Sequence, residues 1–376
     1  MRVVASGYVY DARRAPVHGR SCAHTTATLL HDGTVLVAFR CGSERDSLDG
    51  HECLCASTDG GTTWELRYDG FGQGAWGDRP GEVKGLAIAE RAPGELTATG
   101  LWVDRSRPEL PWINPRTQGL LPMRIFHTTS TDGGRTWGRR QRMDTAPHPA
   151  ASPSSSAVMS LRGGVLAQPY EHWKAYDDPS PAEPGARLRR SHDGGQTWPE
   201  YVTVAQHPSS GLYFWDERLA VHPDTGQLVA MFWTHDPRRQ VDQDVHIAWG
   251  DPAGRSWTVP AGTGLPGQHC QPLPLGGDRL LAVYTHRHDP PGIRAALSAD
   301  FGRTWDHAPE VQVYDSTVGT ESGARQAREQ ADLWDDMLAW RFGHPRAVLL
   351  PTGEVFVTFY AGDDQTKSVH WARLDV

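Results

Sequence analysis

The chain has no apolar run long enough to cross a bilayer, and its first residues, Met1-Arg-Val-Val-Ala-Ser-Gly-Tyr8, hold no apolar stretch of leader length. These absences give the expectation of a cytoplasmic protein without a membrane partner, a processed secreted form being the other option. Cysteine is scarce. There are 5, an odd number, and Cys41, Cys53 and Cys55 lie close together. Cys53 and Cys55 would share one side of a strand, a spacing poor for pairing, so free buried thiols are expected. Positive charge is also short, with 37 Lys and Arg against 45 Asp and Glu, and a net charge of −8 argues against nucleic acid as a partner. No His-x-x-x-His spacing occurs, so no short metal motif is written into the chain.

Glycine (40), proline (28) and tryptophan (15) are abundant, and they are organised. One phrase occurs four times: Ser57-Thr-Asp-Gly-Gly-Thr-Thr-Trp64, Ser130-Thr-Asp-Gly-Gly-Arg-Thr-Trp137, Ser191-His-Asp-Gly-Gly-Gln-Thr-Trp198 and Ser298-Ala-Asp-Phe-Gly-Arg-Thr-Trp305. A degraded fifth copy ends Gly254-Arg-Ser-Trp257. Asp can cap a tight turn with its carboxylate, Gly supplies positive φ, and Thr-Trp starts the return strand with the ring packed beneath. A repeat of this kind with variable insertions indicates a radial or stacked β architecture. The phrase resembles the Asp-box, or bacterial neuraminidase repeat, of the sialidase superfamily. That resemblance implies an all-β, six-bladed β-propeller of four-stranded antiparallel blades, with Asp59, Asp132, Asp193 and Asp300 as structural staples.

Six hairpins support the count, with inner strands at His24–Gly33, Lys84–Ala89, Ser155–Ser160, Glu217–His222, His269–Pro274 and His344–Gly353. All 376 residues are therefore read as one domain, since each blade packs on its neighbours. The N-terminal strand near Val3–Tyr10 is expected to complete the last blade and remove an exposed edge. Two segments break the pattern. Residues 103–122, with Pro108, Pro111, Pro115 and Pro122, read as a long loop, and residues 321–340 read as a helical insertion with apolar positions at Leu333, Met337 and Trp340. Either could cover the mouth of the axis.

The first residues of the inner strands should converge on that axis. They are His24, Lys84, a Ser cluster, Asp216-Glu217, His269 and His344, a concentration of titratable groups that indicates a site. A sialidase holds a sugar carboxylate with three arginines, uses a Tyr activated by a Glu, and uses a loop Asp as acid/base. By that resemblance Glu217 matches the activating Glu, Asp46 the loop Asp, and Arg40 or Arg45 the arginine flanking it. Arg294 matches the third arginine. His24 and Trp233 stand where the first two arginines are expected, and His344 stands at the Tyr position.

Losing two of three guanidinium forks disfavours a standard sialoside. The expectation is an exo-acting, sialidase-like glycoside hydrolase on a terminal sugar, with Asp46 and Glu217 as the carboxylate pair and His24 or His344 assisting. Arg40, Lys84, Glu171, His172, Trp233, His269, Arg287, Arg294 and Tyr360 would bind substrate. A carbohydrate is the expected partner, a homo-oligomer stays open, and no cofactor is expected. Three alternatives stand beside this reading. A lyase could use a His or Tyr base against a uronate, with Arg40, Arg287 and Arg294 neutralising its charge. A divalent metal could bind His24, His269 and His344 with Glu217. A non-catalytic sugar binder could use Trp76, Trp102, Trp112, Trp173, Trp215 and Trp233.

Overall fold

A computed structural model describes residues 1–71, 74–154, 156–305, 309–316 and 330–376. The fold is an all-β propeller. Its strands form five hydrogen-bonded sheets, four of which stand alone with four or five strands each. Their innermost long strands are Gly81–Ala92, Leu166–His172, Tyr213–Val221 and Cys270–Pro274; in the second of these sheets the short strands Ala151–Ser152 and Met159–Ser160 lie further in. The fifth sheet has eight strands, built from two antiparallel groups that begin at Ser21–Leu29 and at Phe342–Leu349. A single parallel bridge, Ser21 to Lys367, joins the two groups. The expected six separate blades are thus not six separate sheets, because this one backbone contact fuses the first and last groups. The N-terminal strand Arg2–Tyr10 pairs antiparallel with Lys367–Asp375, so the first strand of the chain is bonded to its last.

Apolar side chains fill the spaces between sheets, as the alternation of strand side chains requires. Val35, Val37 and Phe39 pack with Phe356 and Trp371, and Leu281 and Val283 pack with Val355 and Val357. At the axis, Thr26, Ala87, Ser156, Leu219, Gln271 and Ala347 are among the residues lining one cavity of about 200 Å³. Each comes from a different part of the ring.

The four copies of the repeated phrase form the same turn. In the copy at 298–305, the Ser298 hydroxyl donates to Asp300 (2.7 Å), which also accepts from the Thr304 N–H (2.9 Å) and hydroxyl (2.6 Å). Gly302 has φ +81°, and the Trp305 indole donates to the Gly302 carbonyl at 2.9 Å. One carboxylate thus satisfies the donors that the turn leaves open. Of the expected helix over 321–340, the part up to 329 lies outside the described residues, and Gln330–Ala339 is helical.

Replacing Asp300 by Ala removes three hydrogen bonds and should lower the unfolding free energy by about 1–3 kcal/mol in urea titrations at neutral pH. The side-chain bonds from Thr304 and Ser298 hold the Asp300 pKa below its ordinary value, although partial burial opposes them. The contribution is therefore present above the unfolded carboxylate pKa and lost as pH falls through the folded one. An unchanged midpoint at neutral pH would remove the stapling role.

Candidate active site

A regular strand sends successive side chains to opposite faces, so only a break in register can change which residue meets the axis. The inner strands carry such breaks. Pairing shifts between Ala23 and Thr26, Val83 and Leu86, Trp215 and Arg218, and Gly343 and Arg346. Within them His24, Asp216 and His344 adopt φ of +54°, +52° and +50°, and Gly85 takes the same role at +85°. A left-handed conformation costs a non-glycine residue about 1–3 kcal/mol, and here it is repeated at the positions that converge.

The three histidines expected at the axis do meet. The rings of His269 and His344 are 4.2 Å apart, and those of His24 and His344 are 4.7 Å apart, edge to face. His269 Nε2 lies 2.8 Å from Asp216 Oδ2. Burial raises the Asp216 pKa, but His269, Arg218 and Arg346 outweigh it and the carboxyl stays below its usual range. The ionised carboxylate accepts, so Nε2 carries the proton and Nδ1 has the lone pair. Nδ1 is buried without a hydrogen-bond partner among the described residues. Burial lowers the pKa of His269, although Asp216 opposes it, and lowers those of His24 and His344 further, helped by neighbouring cations. All three imidazoles are therefore neutral bases near pH 7.

Glu171 completes this centre. Its Oε2 accepts the Asp216 N–H at 2.8 Å, and burial together with the Asp216 charge pushes its pKa up. Asp216 is thus held ionised, while Glu171, raised to about 7, keeps its proton in part near neutral pH. Around them, the Arg45 guanidinium donates to the Tyr360 hydroxyl at 2.5 Å, and Tyr360 lies 5.7 Å from His344. Arg287 stacks on Trp340 at 3.8 Å and donates to Gln268 and to the Phe342 carbonyl; burial lowers its pKa to about 10. Trp233 packs 5.7 Å from His269 and 5.5 Å from Trp340, which follows the helix. Leu333 of the helix joins Trp173, Trp215 and Trp233.

Asp46 lies to one side, ion-paired with Lys84 and with Arg105 (3.1 Å). Burial raises its pKa, yet Lys84 and Arg105 more than offset this and keep it ionised. The Lys84 ammonium also lies 4.3 Å over Trp112. A groove of about 550 Å³ opens here, lined by Arg45, Asp46, Arg105, Trp112, Leu338 and Lys367 among others. The proline-rich segment and the end of the helix therefore both wall the groove, and Arg45 links it to the histidine layer.

Several sequence expectations need correction. Glu217 does not face the histidines: the register break turns Asp216 to them, and Glu217 is fully buried with both carboxylate oxygens unpartnered among the described residues. Burial, then the Glu171 charge, raises its pKa well above the carboxylate range. Arg40 is fully buried and spent on the carbonyls of Glu44 and Ser47 and on Glu82, so it offers no fork to a ligand. Arg294 pairs with Glu310 (2.8 Å) and the Pro290 carbonyl, between neighbouring outer strands. His172 stacks on His148 (4.4 Å) on the side of its strand away from Glu171. The ligand atoms of His24, His269 and His344 do not gather as a metal set; among the described residues the group within 4.8 Å of one another is His51, Cys53 and Asp69. Sequence reasoning named Asp216 only as the neighbour of Glu217 and Trp340 only as an apolar helix position, and it missed Arg105.

No protein-family model and no curated protein sequence matches the chain. Solved structures do resemble it. A protein of unknown function from Dyadobacter fermentans superposes with TM-score 0.74 at 20% identity, over 100% of this chain and 99% of that one. The Hadza microbial sialidase Hz136 gives 0.65 at 14% identity, over 99% and 68%. The intramolecular trans-sialidase of Ruminococcus gnavus gives 0.65 at 12% identity, over 100% and 98%. At these identities the likeness defines the fold class, a sialidase-type β-propeller fold.

Glu217 has a folded pKa above its unfolded one, so its contribution to stability is full below the unfolded value and falls as pH rises toward the folded value. Glu217→Gln does not titrate. Its melting temperature relative to the natural protein should therefore rise as the pH of thermal scans is raised above the ordinary carboxylate range. A constant difference would mean that Glu217 is ionised in the fold.

Proposed function

We propose that the protein is a sialidase-like glycoside hydrolase that acts on a terminal sugar in the axial pocket, with Glu171 as general acid and the Asp216–His269 pair as base. The eight-stranded sheet is counted as two blades, which makes six, and the repeated turns are taken as Asp-boxes. The observation that carries the reading is the divided pair of carboxyls. Asp216 is held ionised against His269 while burial and the Asp216 charge raise Glu171, bonded to its backbone, to about 7, so that it can carry a proton near neutral pH. Neighbouring groups with pKa values pushed apart are what acid/base cleavage of a glycoside uses. Asp216 fixes the tautomer of His269, leaving Nδ1 to take a proton from water, and Glu171 protonates the leaving oxygen. Asp46 holds Lys84 and Arg105 at the groove, where they contact the substrate's polar groups. Trp233, Trp340, Arg287 and Tyr360 supply stacking and hydrogen bonds.

One observation favours a second reading. The Tyr360 phenol beside Arg45 and Arg287 resembles a base with its charge-neutralising partners, the set that eliminates across a uronate. Purified protein is assayed on aryl glycosides, the sialoside included, and on uronate-containing polysaccharides followed by ultraviolet absorbance. Release of aryl product supports hydrolysis, and an unsaturated product identifies elimination.

On a cleaved glycoside, Glu171→Gln and Asp216→Asn should each lower kcat by about 10²–10⁴-fold with KM little changed. The rate should form a bell with pH. It falls on the acid side as the His269–Asp216 base takes up a proton and on the alkaline side as Glu171 loses one. Glu171→Gln should abolish the alkaline limb. Full activity in both variants would overturn the assignment.

A further inference from the structure

A second group of chemically active side chains lies outside the axial site, on the first four strands after the N-terminal one. Antiparallel pairing sets Cys22 opposite Cys41, Cys41 opposite His51, and Cys53 opposite Asp69. Positions 51 and 53 point to one face because side chains alternate along a strand. A row of thiol, thiol, imidazole and carboxylate results. His51 Nε2 is 3.5 Å from Asp69 Oδ1, and Cys53 Sγ is 3.9 Å from the same oxygen. Cys22 Sγ lies 3.5 Å from Cys41 Sγ.

These separations match a tetrahedral cation. With Zn–S near 2.3 Å and Zn–N or Zn–O near 2.0–2.2 Å, ligand atoms of a four-coordinate zinc sit roughly 3.3–3.9 Å apart. A second feature is the orientation of His51. Its Nδ1 lies 3.3 Å from the Asp49 carbonyl, which as an acceptor fixes the proton on Nδ1 and leaves Nε2 to ligate. An entry path exists, since the Asp69 side chain is 52% exposed and that of His51 19%, whereas Cys41 and Cys53 are buried.

We propose that His51, Cys53 and Asp69, with water in the fourth position, form a binding site for Zn²⁺ or a similar thiophilic divalent cation. One thiolate, one imidazole and one carboxylate suit this class better than Mg²⁺ or Ca²⁺, which take oxygen ligands. The Cys53 thiol releases its proton on binding, so affinity rises with pH. The site adjoins Ala12 and Tyr10, which pack in the same cluster as Cys22, Cys41 and Cys53. A bound ion would therefore tie the first blade to the segment that enters it from the N-terminal strand.

The test uses the full chain, freed of metal by a chelator and reduced, and titrated with Co²⁺ and then Zn²⁺. The expected result is one ion per chain, with a thiolate-to-cobalt charge-transfer band that Zn²⁺ displaces, and a higher melting temperature with Zn²⁺ than without. Cys53→Ser and His51→Ala should each weaken binding at least about 10-fold, while Cys270→Ser leaves it unchanged. The cobalt spectrum of the unaltered protein needs no variant to fold. Sub-stoichiometric binding, a spectrum without thiolate bands, or affinity indifferent to Cys53→Ser would overturn the proposal.

Discussion

Everything at the axis depends on how an inner strand can present a chosen side chain. In an unbroken strand the choice is made by parity, and apolar packing against the next sheet fixes that parity firmly. The chain escapes by inserting one residue at the start of four inner strands and placing it in the left-handed region, as at His24, Gly85, Asp216 and His344. Each insertion re-aims one polar side chain while leaving the apolar alternation that follows intact. Thr25, beside His24, donates to the His344 carbonyl at 2.5 Å, so neighbouring breaks brace each other. The strain is thereby held by the ring rather than by any single strand.

The second constraint is the burial of charge. Unpaired carboxylates in an interior take up protons, and cations lose them, unless a partner is near. The molecule uses both outcomes within a short distance. Asp46 stays ionised because Lys84 and Arg105 are bonded to it, and Asp216 because of His269 and Arg218. For Glu171 and Glu217 burial outweighs the pull of Arg218, and for Glu217 that of Arg187 as well, so both are raised, as is Glu52, which burial pushes up to about 8. The protonation states of the axial centre therefore come first from desolvation and second from neighbouring charge.

Similarity to sialidase structures accounts for the scaffold and leaves the chemistry to the site, because a fold fixes where strand starts converge and not what they carry. In this chain three imidazoles, a phenol and two buried guanidinium groups occupy the convergence. Among them His269 meets the Asp216 carboxylate, whereas Arg45 is bonded to Tyr360 and Arg287 to Gln268 and the Phe342 carbonyl. The end of the helix Gln330–Ala339 contributes Leu338 and Ala339 and the proline-rich segment contributes Trp112, so the groove is bounded by elements inserted into the repeat.

The sequence by itself determined the repeat, the turn chemistry of its Asp-Gly copies, the β class, and the residue types at the strand starts, because these follow from local hydrogen bonding and side-chain period. His24, His269 and His344 were legible as a convergent set for the same reason. Only the tertiary structure decided that Asp216 and not Glu217 meets them, that Arg40, Arg294 and His172 are occupied elsewhere, and that Glu171, expected only to bind substrate, is bonded to the Asp216 backbone. The bulge at Asp216 carries no glycine to mark it, and a side chain's partners across the ring have no signature in local spacing. Burial and neighbouring charge, which set protonation, arise only when distant strands close on one another.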